Sequence, residues 1–108
     1  MTYCVGIEVA EGLVFAADTR TNAALEMLTR SLALELAPLV RVNAIAPGAI
    51  LWPEQGKDDY ARQQLLERTP LGRIGTVEEI AEAVRWLLAD ARFVTGHTLR
   101  VDGGRTLS

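Results

Sequence analysis

The stretch Val40-Arg41-Val42-Asn43-Ala44-Ile45-Ala46-Pro47-Gly48-Ala49-Ile50-Leu51-Trp52-Pro53 decides how this chain is read. Its first half, Val40 to Ala46, is an apolar run of β-branched and small residues, the composition of a buried strand. Pro47 and Gly48 stop that run abruptly, and an aromatic-tipped loop follows. A strand that ends this way delivers a loop at its carboxyl end. In an open α/β sheet the crevice that holds ligands lies there, because the helices covering the two faces leave it unfilled.

The elements on either side follow from the same periodicities. Upstream, Thr2 to Val9 and Leu13 to Ala17 are rich in strand formers, and Ala10-Glu11-Gly12 between them signals a turn, so a β-hairpin is predicted. Asp18 to Asn22 breaks the apolar pattern with residues that favour caps and turns. A helix is then predicted over Asn22 to Ala37: Leu25, Leu28, Leu32 and Leu36 recur at helical spacing and Pro38 forbids continuation. Met27 and Leu34 give this helix a second apolar side, available to a partner.

Downstream, a polar loop from Glu54 to Lys57 leads to a helix over Asp58 to Arg68, with an aspartate to cap it and Pro70 just past its end. Thr76-Val77-Glu78-Glu79 is a capping box, opening a helix whose apolar stripe runs through Val77, Ile80, Ala81, Val84, Leu87 and Leu88. His97 to Val101 alternates as a last strand and Asp102-Gly103-Gly104 closes it. Strand, helices, strand makes a crossover unit that places the Val40 and His97 strands parallel and adjacent. The fold class is therefore α/β: an N-terminal β-hairpin over residues 1–22 joined to a partial Rossmann-type βαβ unit over 23–108, with about three helices and two parallel strands.

Composition narrows the function. The net charge of −3 and the scattering of ten arginines and one lysine give no footprint for nucleic acid or an anionic membrane. No run of 18 apolar residues is present and no basic segment precedes an apolar one at the start, so a membrane span and a signal peptide are not expected and a cytoplasmic location is. The single cysteine, Cys4, and the single histidine, His97, lie far apart in sequence and make no metal site. At 108 residues with 49% apolar content, one modest core is possible.

The hexapeptide Asn43-Ala44-Ile45-Ala46-Pro47-Gly48, the preceding Ala33-Leu34-Glu35-Leu36-Ala37-Pro38 and the closing Val101-Asp102-Gly103-Gly104 resemble the C-terminal part of the short-chain dehydrogenase/reductase family. Within it, Gly48 to Pro53 is most similar to bacterial pteridine reductases. The resemblance implies NADP(H) as cofactor and hydride transfer to a pterin or carbonyl. It further implies that the Pro47, Gly48, Ala49 and Ile50 backbone contacts the nicotinamide and that Leu51, Trp52 and Pro53 border the substrate. It also implies a homo-oligomer, assembled through the helix over 22–37 and the strand over 97–102.

The family's proton-donating machinery is not in this sequence. Its Tyr-x-x-x-Lys pair would fall at Asp18 and Asn22, and its Gly-rich phosphate turn matches none of the nine glycines. No catalytic residue is assigned on this reading, and the chain is expected to be inactive alone. The first 22 residues resemble instead the start of bacterial proteasome-type proteases, in which removal of Met1 frees a threonine to act as nucleophile, its own amine serving as base. That resemblance implies Thr2 as nucleophile and Asp18 as supporting acid, but the position of the family's assisting lysine is Leu34 here. The expectation is a chimera, with its junction near Thr21 to Ala24. A non-catalytic, oligomerising interaction module is the other reading.

Overall fold

The protein is described by a computed structural model, which covers residues 4–9, 12–17, 22–48 and 59–107. Two strands, β1 (Cys4–Val9) and β2 (Gly12–Ala17), pair antiparallel. They precede helix α1 (Asn22–Leu36) and strand β3 (Arg41–Pro47). Helices α2 (Asp59–Glu67) and α3 (Val77–Arg85) follow, and α3 runs on into a π-helical turn, Trp86–Asp90. Strand β4 (Thr98–Val101) and a 3₁₀ turn at Arg105–Leu107 complete the described residues. The hairpin, the three helices and the parallel pair expected from the sequence are present. The sheet order β1-β2-β3-β4 adds one feature: β2 also runs parallel to β3, so the hairpin extends the sheet.

Strand β3 is covered on both faces. Val42, Asn43, Ala44, Ile45 and Ala46 are all buried, which explains why its sequence is continuously apolar rather than alternating. Odd and even positions face opposite layers. On one side Ala44 packs against Leu25 of α1. On the other, Ile45 joins Val14, Leu87 and Ala91, with Ile80, Ala83, Val84, Leu99 and Val101 packed around them.

The helices bury narrower faces than their apolar spacing suggests. In α1 the inward line is Leu25, Thr29 and Ala33, while Leu28 is exposed. Small residues win there because a helix lying on a sheet needs a close approach, and the Thr29 hydroxyl is satisfied by donating to the Leu25 carbonyl at 2.7 Å. In α3, Val77 and Ala81 lie outside the core, whereas Leu87 of the expected stripe is fully buried in the π turn, with Ile80, Val84 and Leu88 packed against it and Ala91 buried just beyond.

Two polar residues of β3 lock this end of the molecule. The last turn of α3 leaves backbone carbonyls without helical partners, and the helix dipole makes that end negative. The Arg41 guanidinium sits there. It donates through Nη1 to the carbonyls of Leu87 (2.7 Å), Ala91 (2.9 Å) and Val94 (3.3 Å), and through Nη2 to that of Leu88 (2.8 Å). Two residues on, the buried Asn43 amide donates to the Val94 carbonyl at 2.9 Å and its oxygen accepts from the His97 amide at 3.1 Å. The strand thus holds both the end of one helix and the entry of the next strand.

The start of α3 is fixed by the capping box read from the sequence. Glu79 N donates to Thr76 Oγ1 at 3.1 Å and the Glu79 carboxylate accepts from Thr76 N at 3.0 Å. Arg73 completes it by a two-pronged pair with the same carboxylate, at 2.7 and 2.9 Å.

Two outcomes follow. Arg41→Met keeps the aliphatic stem but removes the donor to the Leu87 and Leu88 carbonyls, while those of Ala91 and Val94 keep the Val94 amide and the Asn43 side chain; the substitution should cost about 3 kcal/mol. Urea denaturation should show a lower midpoint with an unchanged slope. The second concerns acid. Hydrogen bonding from Arg73, then from the Thr76 amide, lowers the Glu79 carboxyl from 4.5 to about 2. Because the folded carboxylate holds its proton less tightly than the unfolded one, its stabilisation is complete above pH 4.5 and is lost as pH falls toward 2. A melting-temperature profile against pH should lose part of its acid slope in that window in Glu79→Gln.

Candidate functional site

The carboxyl ends of β3 and β4 lie side by side and open into a cavity of about 490 Å³, a size ordinary for small-molecule sites. Gly48, Val101, Asp102 and Gly103 line its strand side, and Thr69 and Leu71, beyond α2, line the other. The Gly48 amide donates to the Val101 carbonyl at 2.9 Å, so the backbone that leaves β3 is tied directly to β4. No side chain fits at residue 48: a Cβ there would stand 2.7 Å from Asp102 Cα. The strand-ending glycine is required by this approach, not only by the turn.

The Asp102-Gly103-Gly104 turn is the other built part of the site. Gly103 and Gly104 both have positive φ, at 63° and 88°, which glycine adopts without strain. The turn is anchored by the Leu71 amide donating to the Gly103 carbonyl at 3.0 Å. Asp102 holds it from within, accepting from the Gly104 amide at 3.0 Å and from the Thr106 amide and hydroxyl at 3.3 and 2.8 Å. Burial pushes the Asp102 carboxyl up, but these hydrogen bonds outweigh it, with help from the nearby Arg100 charge, and hold it below the usual carboxylate range.

Of the cavity's polar side chains, Thr69, Arg73, Glu79 and Asp102 are held by bonds within the chain, while Arg100 also lines it. Thr69 Oγ1 donates to the Leu65 carbonyl at 2.9 Å, Arg73 is paired with Glu79, and Asp102 is committed to its turn. Such a site can shape and orient a ligand. Among the described residues it holds no nucleophile paired with a base. Tyr60, the tyrosine of the described helices, is exposed on α2 with its hydroxyl accepting from Gln64 at 3.0 Å. No group of three or more His, Cys, Asp or Glu side chains among the described residues could hold a metal ion, and no described helix is long and apolar enough to cross a membrane.

Of the residues assigned from the sequence, Gly48 lines this cavity and Pro47 precedes it as the last residue of β3. Ala49, Ile50, Leu51, Trp52 and Pro53 lie outside the described residues, as do Thr2 and Asp18. Thr69, Leu71 and Asp102 were not singled out as site residues. The paired glycines after the last strand were the available signal, since Gly-Gly marks a turn whose backbone something must approach.

Comparisons with known proteins show the family. The family model described as enoyl-(acyl carrier protein) reductase matches residues 1–106. A 3beta-hydroxysteroid dehydrogenase from Eggerthella lenta is 47% identical over 98 residues, covering 86% of this chain and 38% of that protein. A dihydromonapterin reductase from Klebsiella pneumoniae is 44% identical over 87 residues, covering 81% and 35% respectively. A glucose 1-dehydrogenase from Bacillus subtilis is 43% identical over 91 residues, again covering 81% and 35%. The chain spans little more than a third of the length of these curated relatives. With the match running through the strand, the Pro-Gly stop and the closing Asp-Gly-Gly turn, this chain belongs to the short-chain dehydrogenase/reductase family, in its enoyl-(acyl carrier protein) reductase group.

Proposed function

We propose that the chain carries the substrate-side wall of an NADP-dependent short-chain oxidoreductase and does not turn over by itself. The observation that carries this reading is the delivery of Gly48, just past Pro47 at the end of β3, into the cavity at the carboxyl ends of two parallel strands. Ala49 and Ile50 would continue that wall along the nicotinamide, and Leu51, Trp52 and Pro53 would border the substrate, in the manner of a pteridine reductase.

A nicotinamide supplies hydride in this family, and a tyrosine-lysine pair manages the proton. The residues present do not make up a dinucleotide site. Gly48 offers one edge, the sequence has no Gly-rich turn to cradle a pyrophosphate, and Asp18 and Asn22 stand at the tyrosine and lysine positions. No proton step is therefore assigned to this chain. The relatives' names point to a steroid, a pterin and a sugar, although all share this third of the sequence. Their common part supports a role in building the site rather than in choosing among substrates.

Self-association goes with this reading. Met27 and Leu34 of α1 are 60% and 84% exposed, leaving the second apolar side uncovered within the chain. Among the described residues strand β4 ends the sheet with one edge unpaired. The radius of gyration, 14.9 Å, exceeds the roughly 13 Å of a compact domain of this length. A homo-oligomer through residues 22–37 and 97–102 would cover both surfaces. The Thr2 hydrolase reading keeps the support of the observed hairpin alone. Intact-mass measurement finding Met1 retained would remove it, since the nucleophile needs a free Thr2 amine.

Titrated with NADPH and followed by cofactor fluorescence, the isolated chain should show no tight saturable binding and no oxidation against carbonyls or pterins. Tight binding or turnover would overturn the proposal. In sedimentation velocity the chain should associate as concentration rises, and Leu34→Glu should shift it toward monomer; a strict monomer at all concentrations would count against the assembly.

A further inference from the structure

The hydrogen-bonding groups that line the cavity at the carboxyl ends of β3 and β4 are largely spent within the chain. The amides of Gly48, Thr69, Leu71 and Leu107 donate to the carbonyls of Val101, Leu66, Gly103 and Gly104 at 2.9 to 3.1 Å. The Gly104 amide donates to Asp102 Oδ1 at 3.0 Å, and Pro70 has no amide to offer. The Thr69 hydroxyl donates to the Leu65 carbonyl. A ligand hydroxyl that gave up water to enter would find few partners, and a polar group buried without one is destabilised.

Charge in the lining also cancels. Arg73 holds Glu79 by two hydrogen bonds, and Arg100 stands near enough to Asp102 to attract its carboxylate. These are the four charged side chains of the lining among the described residues, and their sum of zero favours neither an anion nor a cation. What the walls do offer is apolar contact. The Thr69 methyl and the Pro70 ring lie against the backbone of Gly103 and Gly104, where added Cβ atoms would stand 2.8 and 3.0 Å from them. Leu71 and Leu107 line the same space and are 68% and 84% exposed. Scattered surface leucines are ordinary, but two that line one cavity make an uncovered apolar contact surface.

We propose, resting on the reading of this cavity as a substrate-side wall, that it binds the uncharged hydrocarbon part of a ligand, an alicyclic or aromatic framework carrying at most one polar function. Leu71 and Leu107 supply the main contacts. A wall of this kind orients the hydrocarbon face of a ligand without selecting the compound, and hydroxyl-rich faces turn elsewhere.

The test is a titration of the full chain with adamantanone, adamantane carboxylate, aminoadamantane and inositol, read by the amide NMR shifts of Leu71, Gly103, Gly104 and Leu107. Adamantanone should give saturable shifts centred on these residues, the two charged cages should bind no more tightly, and inositol should give none. Leu71→Asn and Leu107→Asn should each weaken adamantanone about tenfold. Phe93→Ser, at a wholly exposed apolar position outside the lining, should leave it unchanged. Both leucines are exposed, and a circular dichroism spectrum matching the parent verifies the fold of each variant. The absence of saturable shifts, saturable binding of inositol, a charged cage binding about tenfold more tightly than adamantanone, indifference to both leucine substitutions, or an equal loss in Phe93→Ser would overturn the proposal. None of these ligands involves a cofactor, so a failure here is distinct from NADPH binding by the chain, which overturns the oxidoreductase-wall reading itself.

Discussion

The structure depends on one strand being buried on both faces while still carrying two polar side chains. Arg41 and Asn43 face the same layer as Ile45, and a strand in that position tolerates them because both guanidinium Nη atoms and the amide nitrogen find carbonyls nearby. The exchange is reciprocal. The helix end would otherwise leave its last carbonyls unpaired, and the strand would otherwise bury a charge and an amide. Satisfying both with one contact fixes where α3 stops, where the loop through Val94 runs and where β4 begins.

That fixation sets the geometry of the site at the far end of the same strand. With β4 held at its start by Asn43 and His97, its carboxyl end meets Gly48 closely enough to exclude any side chain there. The Asp102 turn then folds against the segment after α2, and the cavity is what remains between them. Most of its polar side chains hold the turn and the α3 cap, with Arg100 beside them.

The chain has an unequal surface. Its interior is a small core around Ile45, Leu87 and Val14, while Leu34, Leu39, Phe93 and Leu107 are largely or wholly exposed. A domain of this size has too little interior to cover every apolar group, and a sheet of four strands among the described residues leaves two edge strands that add to the deficit.

The sequence by itself determined the elements and the end of the sheet at which a site would form. The apolar run stopped by Pro47-Gly48, the leucine spacing of α1 ended by Pro38, and the Thr76–Glu79 box all act through local backbone preferences, which a sequence displays directly. It determined the family for the same reason, since the strand, its stop and the closing turn are contiguous motifs. Only the tertiary structure decided which apolar residues are core: Thr29 and Ala33 are buried where Leu28 and Leu34 are not, because the distance between α1 and the sheet selects for size as well as polarity. It alone decided that β2 lies parallel to β3, that Arg41 caps a helix remote in sequence, and that Thr69, Leu71 and Asp102 share a cavity with Gly48. Those are contacts between segments far apart along the chain, and no local pattern of residues encodes which distant carbonyl a guanidinium will meet.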